Sequence, residues 1–206
     1  HTYGDDGDFT VEVCGKDDDA PPQCSSIVVR ISNVAPTADI TAPAGTTTIN
    51  GVSVVVANQG ATVNFAGRST DPGSDDLALS WNWDGGPPDV TTTYLNDAGF
   101  NPDPDPSPSI NPRDVTDAKG HAFSACLYDV VFGAADDDTG VASDTIKVLV
   151  TGNATVRLSA GYWQNIYRSR KSTPFTDAQI TCYLEIVGFV SLVFNETTDA
   201  STIAKA

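Results

Sequence analysis

The residues of this chain that could do chemistry are carboxylates and cysteines. Asp17-Asp18-Asp19, Asp136-Asp137-Asp138, and Asp71 with Asp75 and Asp76 each gather acidic side chains in one short stretch. All-oxygen sets of this kind suit Ca2+, which takes six to eight oxygen ligands. The competing reading is a solvated acidic loop that keeps strand edges from pairing wrongly. No EF-hand spacing is present, so the expectation of Ca2+, and of no other cofactor, rests on charge density. Adjacent like charges repel unless a cation or solvent screens them, so such an ion would serve best between module ends. Cys14 and Cys24 flank the first acidic triplet. They read as a disulfide across a turn, against free thiols or a metal pair, and no nearby Cys or His completes a zinc site. A second bridge between Cys126 and Cys182 would pin the C-terminal segment, against two buried thiols. An even cysteine count is compatible with an oxidising compartment.

Catalysis has little to draw on. With two histidines in all, His1 and His121, acid–base chemistry would fall to carboxylates alone, and both rings read as side chains bonded to nearby backbone. No Ser, His and Asp arrangement or phosphate loop occurs, so the chain is expected not to be an enzyme. Sequons at Asn153 and Asn195 permit glycosylation. Arg157, Arg168, Arg170 and Lys171 form a basic cluster that could meet an acidic loop in an assembly, against an ordinary solvated turn.

The elements that must position these groups announce themselves by repetition. Residues 9–31 align without a gap on residues 128–150, Phe9 falling on Tyr128, Val11 on Val130, the first Asp triplet on the last, and Val29 on Val148. Apolar residues alternate on both sides of each acidic turn, the pattern of two antiparallel strands with one buried face. Both copies are therefore expected to be β-hairpins, with Cys14 and Cys24 falling on Gly133 and Ser143. Between them, Ala38 to Ile40 and Val52 to Ala57 read as short strands separated by the Gly- and Thr-rich Ala44 to Gly51. Residues 61–66 alternate as a strand, 71–76 form a turn-rich loop, and Leu77, Leu79, Trp81 and Trp83 share one strand face that belongs in a core rather than on a sugar-binding platform. Residues 96–120, which include Pro102, Pro104, Pro106 and Pro108, read as an extended, polyproline-like surface insertion.

Composition sets the outer limits. Eleven Lys and Arg stand against 27 Asp and Glu, a formal charge of −16, which disfavours nucleic acid or an anionic membrane as partner. The longest apolar run, Ile186 to Phe194, is far below the roughly 18 residues of a spanning helix. The absence of Met and of a leader ahead of His1 is expected of a processed or partial chain.

Residues 71–86, Asp-Pro-Gly-Ser-Asp-Asp-Leu-Ala-Leu-Ser-Trp-Asn-Trp-Asp-Gly-Gly, followed by His121-Ala122-Phe123 and a Tyr128-x-Val130 strand, resemble a polycystic-kidney-disease (PKD) domain. His1-Thr2-Tyr3, residues 7–11 and the junction Asn33-Val34-Ala35-Pro36 are similar to the closing half of another. The family's usual Trp-Asp-Phe-Gly-Asp-Gly is here Trp81-Asn82-Trp83-Asp84-Gly85-Gly86, one residue short. The resemblance covers roughly residues 1–150. It implies a mainly β chain with an immunoglobulin-like β-sandwich of PKD type, used as a spacer, adhesion or interaction module in secreted and cell-surface proteins, without catalytic residues. The implied division is a closing half-module over 1–34, a complete sandwich over 35–152 and a C-terminal segment over 153–206.

In that segment Thr176 and Gln179 make a capping box, and Ile180, Tyr183, Leu184, Val187 and Ser191 mark one helical stripe while Ile186, Phe189, Val190 and Val193 mark another. A helix apolar nearly all round must be buried; a strand over 186–194 is the alternative. The expected function is a non-catalytic extracellular structural or adhesive protein, self-assembling as a surface or filament subunit, with copies of itself or other cell-surface proteins as partners. The alternative is an accessory module of a secreted hydrolase that binds polysaccharide, extracellular matrix or another protein substrate.

Overall fold

A computed structural model describes residues 1, 3–96, 112–152 and 175–191. The proline run 102–108, the sequons at Asn153 and Asn195, and Arg157, Arg168, Arg170 and Lys171 lie outside the described residues.

The described chain is mainly β. Among the described residues, strands β1 (Gly7–Gly15) and β2 (Gln23–Ile31) pair only with each other. Six strands form a second sheet in the order β4 (Thr46–Ile49), β5 (Val52–Asn58), β11 (Val141–Thr151), β10 (Leu127–Ala135), β7 (Leu77–Asn82) and β8 (Val90–Tyr94). A third sheet joins β3 (Asp39–Ala42), β6 (Thr62–Asp71) and β9 (Arg113–Ala122). Every pairing is antiparallel except that of β5 with β11.

The larger two sheets close on one core, as sheets with one apolar face must. Alternation along β7 and β10 sends Leu77, Leu79, Trp81, Val130 and Phe132 inward, all fully buried, against Phe65 and Val63 of β6. Trp81 stacks on Trp83 at 5.6 Å and tilts against Phe132 at 4.8 Å. The tryptophans are core groups, not an exposed platform. Where Phe132 meets β6 only glycine fits, because a Cβ on Gly67 would lie 2.6 Å from the phenyl ring.

Two expectations change here. Residues 113–120 are not surface insertion but most of β9, paired along its length with β6 from Thr62↔Ala122 to Asp71↔Arg113. The strand escapes the hydrophobic pattern because buried Arg113 and Asp117 occupy alternate positions with Val115 between them. Thr46–Ile49, read as a connecting stretch, is β4. It hairpins onto β5 through Asn50-Gly51, both at positive φ (50° and 82°), and an Asn-Gly pair between strands favours this two-residue turn.

Helix α1 (Asp177–Val190) starts on the capping box of Thr176 and Gln179. Cys182 is bonded to Cys126 just ahead of β10, Asn50 Nδ2 donates to the Phe189 carbonyl at 2.6 Å, and Lys147 of β11 lies over the Phe189 ring. The helix therefore sits on the six-stranded sheet, on the face that Val54 and Leu149 present away from the core, where both are buried. It is less enclosed than its composition suggests: Leu184 is buried, but Val187 and Val190 are about two-fifths exposed, at 39% and 42%. A helix laid on one sheet covers one stripe, not both.

Asp117 ties the two large sheets together. Its carboxylate, 3% exposed, accepts Trp81 Nε1 at 2.7 Å, the Tyr94 hydroxyl at 2.7 Å and Lys119 Nζ at 2.7 Å. Burial alone would raise its pKa, but hydrogen bonds from Lys119, Tyr94 and Trp81 hold it below the usual carboxylate range. Burial, and then the same contact, pushes Tyr94 up to about 12. Removing the acceptor strands a buried indole N–H and a phenol, so Asp117→Ala is expected to cost about 3 kcal/mol, and Asp117→Asn less. Urea unfolding followed by tryptophan fluorescence measures this; a loss below about 1 kcal/mol for the alanine variant would contradict the assignment.

Candidate functional site

The two hairpins are the same object in different surroundings. Val11 pairs with Ile27 as Val130 pairs with Ile146, and Cys14 with Cys24 as Gly133 with Ser143, so the repeat preserves register residue by residue. In the second copy, β7 and β5 take the outer edges of β10 and β11, and the third sheet covers the apolar face. In the first copy Phe9, Val11, Val29 and Ile31 are only partly buried, Phe9 against Tyr3 at 4.4 Å, and the turn end of the corresponding face stays open. Phe132 and Val148 are fully buried, whereas Val13, at the position of Phe132, is 70% exposed, and Ile27, at that of partly buried Ile146, is 66% exposed.

What the first hairpin has instead is a covalent staple. Cys14 and Cys24 stand directly opposite each other, Cα atoms 4.0 Å apart, and are disulfide-bonded. Closing so short a loop removes about 2–3 kcal/mol of unfolded-chain entropy, which an isolated two-stranded ribbon needs. In the second copy a side chain at Gly133 would press on β7, its Cβ 2.6 Å from Ser80 Oγ.

Carboxylates gather where the hairpin meets the double-sheet body. Asp71 ends β6, Asp75 lies in the loop to β7, Asp136 and Asp138 lie in the turn between β10 and β11, and Asp5 precedes β1. Carboxylate oxygens of Asp71, Asp75 and Asp136, all three residues buried, lie within 4.8 Å of one another. Those of Asp5, Asp75 and Asp138 do likewise. Asn33 crosses the same junction, Nδ2 donating to Asp136 Oδ2 at 2.9 Å. Beside them a cleft of about 190 Å³ is lined by Tyr3, Asp5, Asp6, Asn33, Pro72 and Asp75.

Local geometry explains the gathering. Asp136 closes its turn with its own side chain, accepting the Gly140 N–H at 2.5 Å, as aspartates in turns do. Asp71 Oδ1 accepts Gly73 N–H at 2.7 Å, while Asp71 Oδ2 has no donor among the described residues. Asp137 Oδ1 accepts the Asp76 N–H, and Asp76 Oδ1 accepts the Asn96 N–H. The third triplet behaves differently. Asp17, Asp18 and Asp19 are exposed at the far end of the first hairpin. Pro21 stands where the second copy has Gly140, so no N–H exists there to repeat the Asp136 closure.

Of the residues singled out from sequence, Asp71, Asp75, Asp136 and Asp138 thus converge, with Asp76 and Asp137 bonded alongside and Asp17 to Asp19 apart. Asp5, Asp6 and Asn33 were missed. Their signal was the acidic pair ahead of β1 and the Asn of the inter-module junction. His121 does not serve the backbone role expected of it: its ring stacks on Trp83 at 4.7 Å, near parallel.

Crowded burial of like charge raises these acids. Burial, then the charge of Asp71 and a hydrogen bond with Asp5, pushes Asp75 up to about 8. A hydrogen bond with Asp6, then burial, lifts Asp138 to about 6. Burial also raises Asp71, opposed by the Gly73 N–H hydrogen bond, with Asp136 and Asp137 adding to the rise and Arg113 opposing it more weakly. The cation is partly spent, because Arg113 Nη2 donates to the Tyr94 carbonyl at 2.6 Å.

Compared with protein-family models and with curated proteins, the chain matches none.

A raised carboxylate binds more protons in the folded than in the unfolded state, so without metal the cluster lowers stability as pH rises from about 4 to 8. Asp117, held low, acts only below that window. In chelator-treated buffer the melting temperature should fall by several degrees between about pH 5 and pH 8.5, and Asp75→Asn should flatten the slope. A wild-type profile flat across this range would contradict the assignment.

Proposed function

We propose that this chain is a non-catalytic structural and adhesive module of an extracellular protein, of PKD type, that associates with further copies of itself through the open hairpin. The observation that carries the reading is the contrast between Val13 and Ile27, exposed, and the same positions of the second hairpin, packed into the core. Apolar side chains of this size each gain about 1.5–3 kcal/mol on full burial. A ribbon whose two edges are unpaired among the described residues also invites strand addition, and two such ribbons can close face to face as packed sheets do.

Other features support it. Two disulfides suit an oxidising, extracellular setting, and among the described residues no helix is long and apolar enough to cross a membrane. The immunoglobulin-like sandwich implied by residues 71–86 agrees with two sheets packed over Trp81 and Trp83.

The full chain should elute from size-exclusion chromatography as concentration-dependent dimers or larger assemblies, ordered polymers being visible by negative stain. Val13→Asp with Ile27→Asp, both at exposed sites and so compatible with folding, should return it to monomer. A wild-type chain monomeric up to about millimolar concentration, the range of a weak −4 kcal/mol contact, would overturn the reading.

A further inference from the structure

We propose that the junction between the first hairpin and the double-sheet body is a two-ion Ca2+ site, with an inner ion held by Asp71, Asp75 and Asp136, an outer ion held by Asp5, Asp75 and Asp138, and Asp75 bridging the two. Each set places ligand oxygens within 4.8 Å of one another, and Asp75 is the only residue common to both.

The inner set is more than a concentration of charge. Asp71 is 1% exposed and its Oδ2 has no hydrogen-bond donor among the described residues, although an oxygen of that carboxylate lies in the group with Asp75 and Asp136. A buried carboxylate oxygen without a partner is costly when it carries charge, and a cation would supply what is missing. Asp136 is positioned by Gly140 N–H and Asn33 Nδ2, one to each oxygen, which leaves a lone pair on each for a metal. Hydrogen bonds to ligating carboxylates orient them in this way at metal sites.

The donor atoms select the ion. Every ligand is a carboxylate oxygen, with no imidazole or thiolate within the two sets, which suits a hard cation over zinc or copper. Ca2+ accepts irregular sets of carboxylates and backbone carbonyls, whereas Mg2+ demands near-octahedral geometry and keeps several waters.

The two ions do different work. The inner one draws ligands from the β6–β7 loop and the β10–β11 turn, both within the double-sheet body. The outer one adds Asp5, which belongs to the hairpin, so its binding locks the hairpin onto the body. Glycine at 140 is part of the design: a Cβ there would lie 2.1 Å from Asp136 Oδ2 and 2.7 Å from the Ala35 Cα.

Calorimetric titration of the chelator-treated full chain with CaCl2, to about 10 mM because extracellular modules bind in the 10⁻⁴–10⁻³ M range, should give two equivalents. Asp138→Asn, at an exposed site where folding is not at risk, and Asp5→Asn should each leave one. Asp75→Asn should leave none, its fold being checked by circular dichroism. One equivalent or none in the wild type, two retained in Asp138→Asn, or equal heats with MgCl2 would each overturn the proposal. The oligomeric state plays no part in this readout, so it stands or falls separately from self-association.

Discussion

An apolar sheet face has to be covered, and most of this structure can be understood as the consequence. Around the second hairpin the requirement is met in full: β5 and β7 occupy its edges, and Phe65, Trp81 and Phe132 interlock beneath it at ring separations of 4.8–5.7 Å. The first hairpin repeats the register with less cover, Val13 and Ile27 toward its turn being exposed. Its disulfide stands at the pair of positions where the second copy carries Gly133 and Ser143. The staple holds together by covalent bonding a ribbon whose twin is held by neighbours.

Charge is the second constraint, and the chain handles it in two opposite ways. Asp117 is buried with three donors around it, so its ionised form is favoured and the two sheets are joined across the core. The junction carboxylates are crowded with few donors and one partly committed arginine, so their ionised forms are disfavoured. The first arrangement is complete as it stands. In the second, protons relieve the crowding at low pH, and the proposed Ca2+ ions would do so at higher pH.

Much of this was legible in the residues. The gap-free alignment of 9–31 on 128–150 gave both hairpins and even their register, because alternation fixes which side chains face inward. Leu77, Leu79, Trp81 and Trp83 identified a core strand for the same reason, and Thr176 with Gln179 identified a helix start. Strand β9 was hidden because its inward positions are Arg113 and Asp117, polar groups whose partners come from distant strands and cannot be seen locally. β4 was hidden behind a short Thr-rich run, although Asn50-Gly51 signalled its turn. For the site, each acidic cluster was visible singly, but which of them meet depends on tertiary placement: Asp5 and Asp75 are seventy residues apart, and the Asp17 triplet looks identical to the Asp136 triplet while lying elsewhere.

The first hairpin is a folded ribbon whose turn end lacks the cover that its twin has. Amide hydrogen exchange at a series of protein concentrations tests it most directly, because edge and face protection report cover residue by residue. In dilute solution the outward-pointing amides of β1 and β2 should exchange rapidly while those of β10 and β11 exchange only on global unfolding, and protection of β1 and β2 should grow with concentration. Equal protection of the two hairpins in dilute solution, or rapid exchange of β1 and β2 that no concentration slows, would contradict the account.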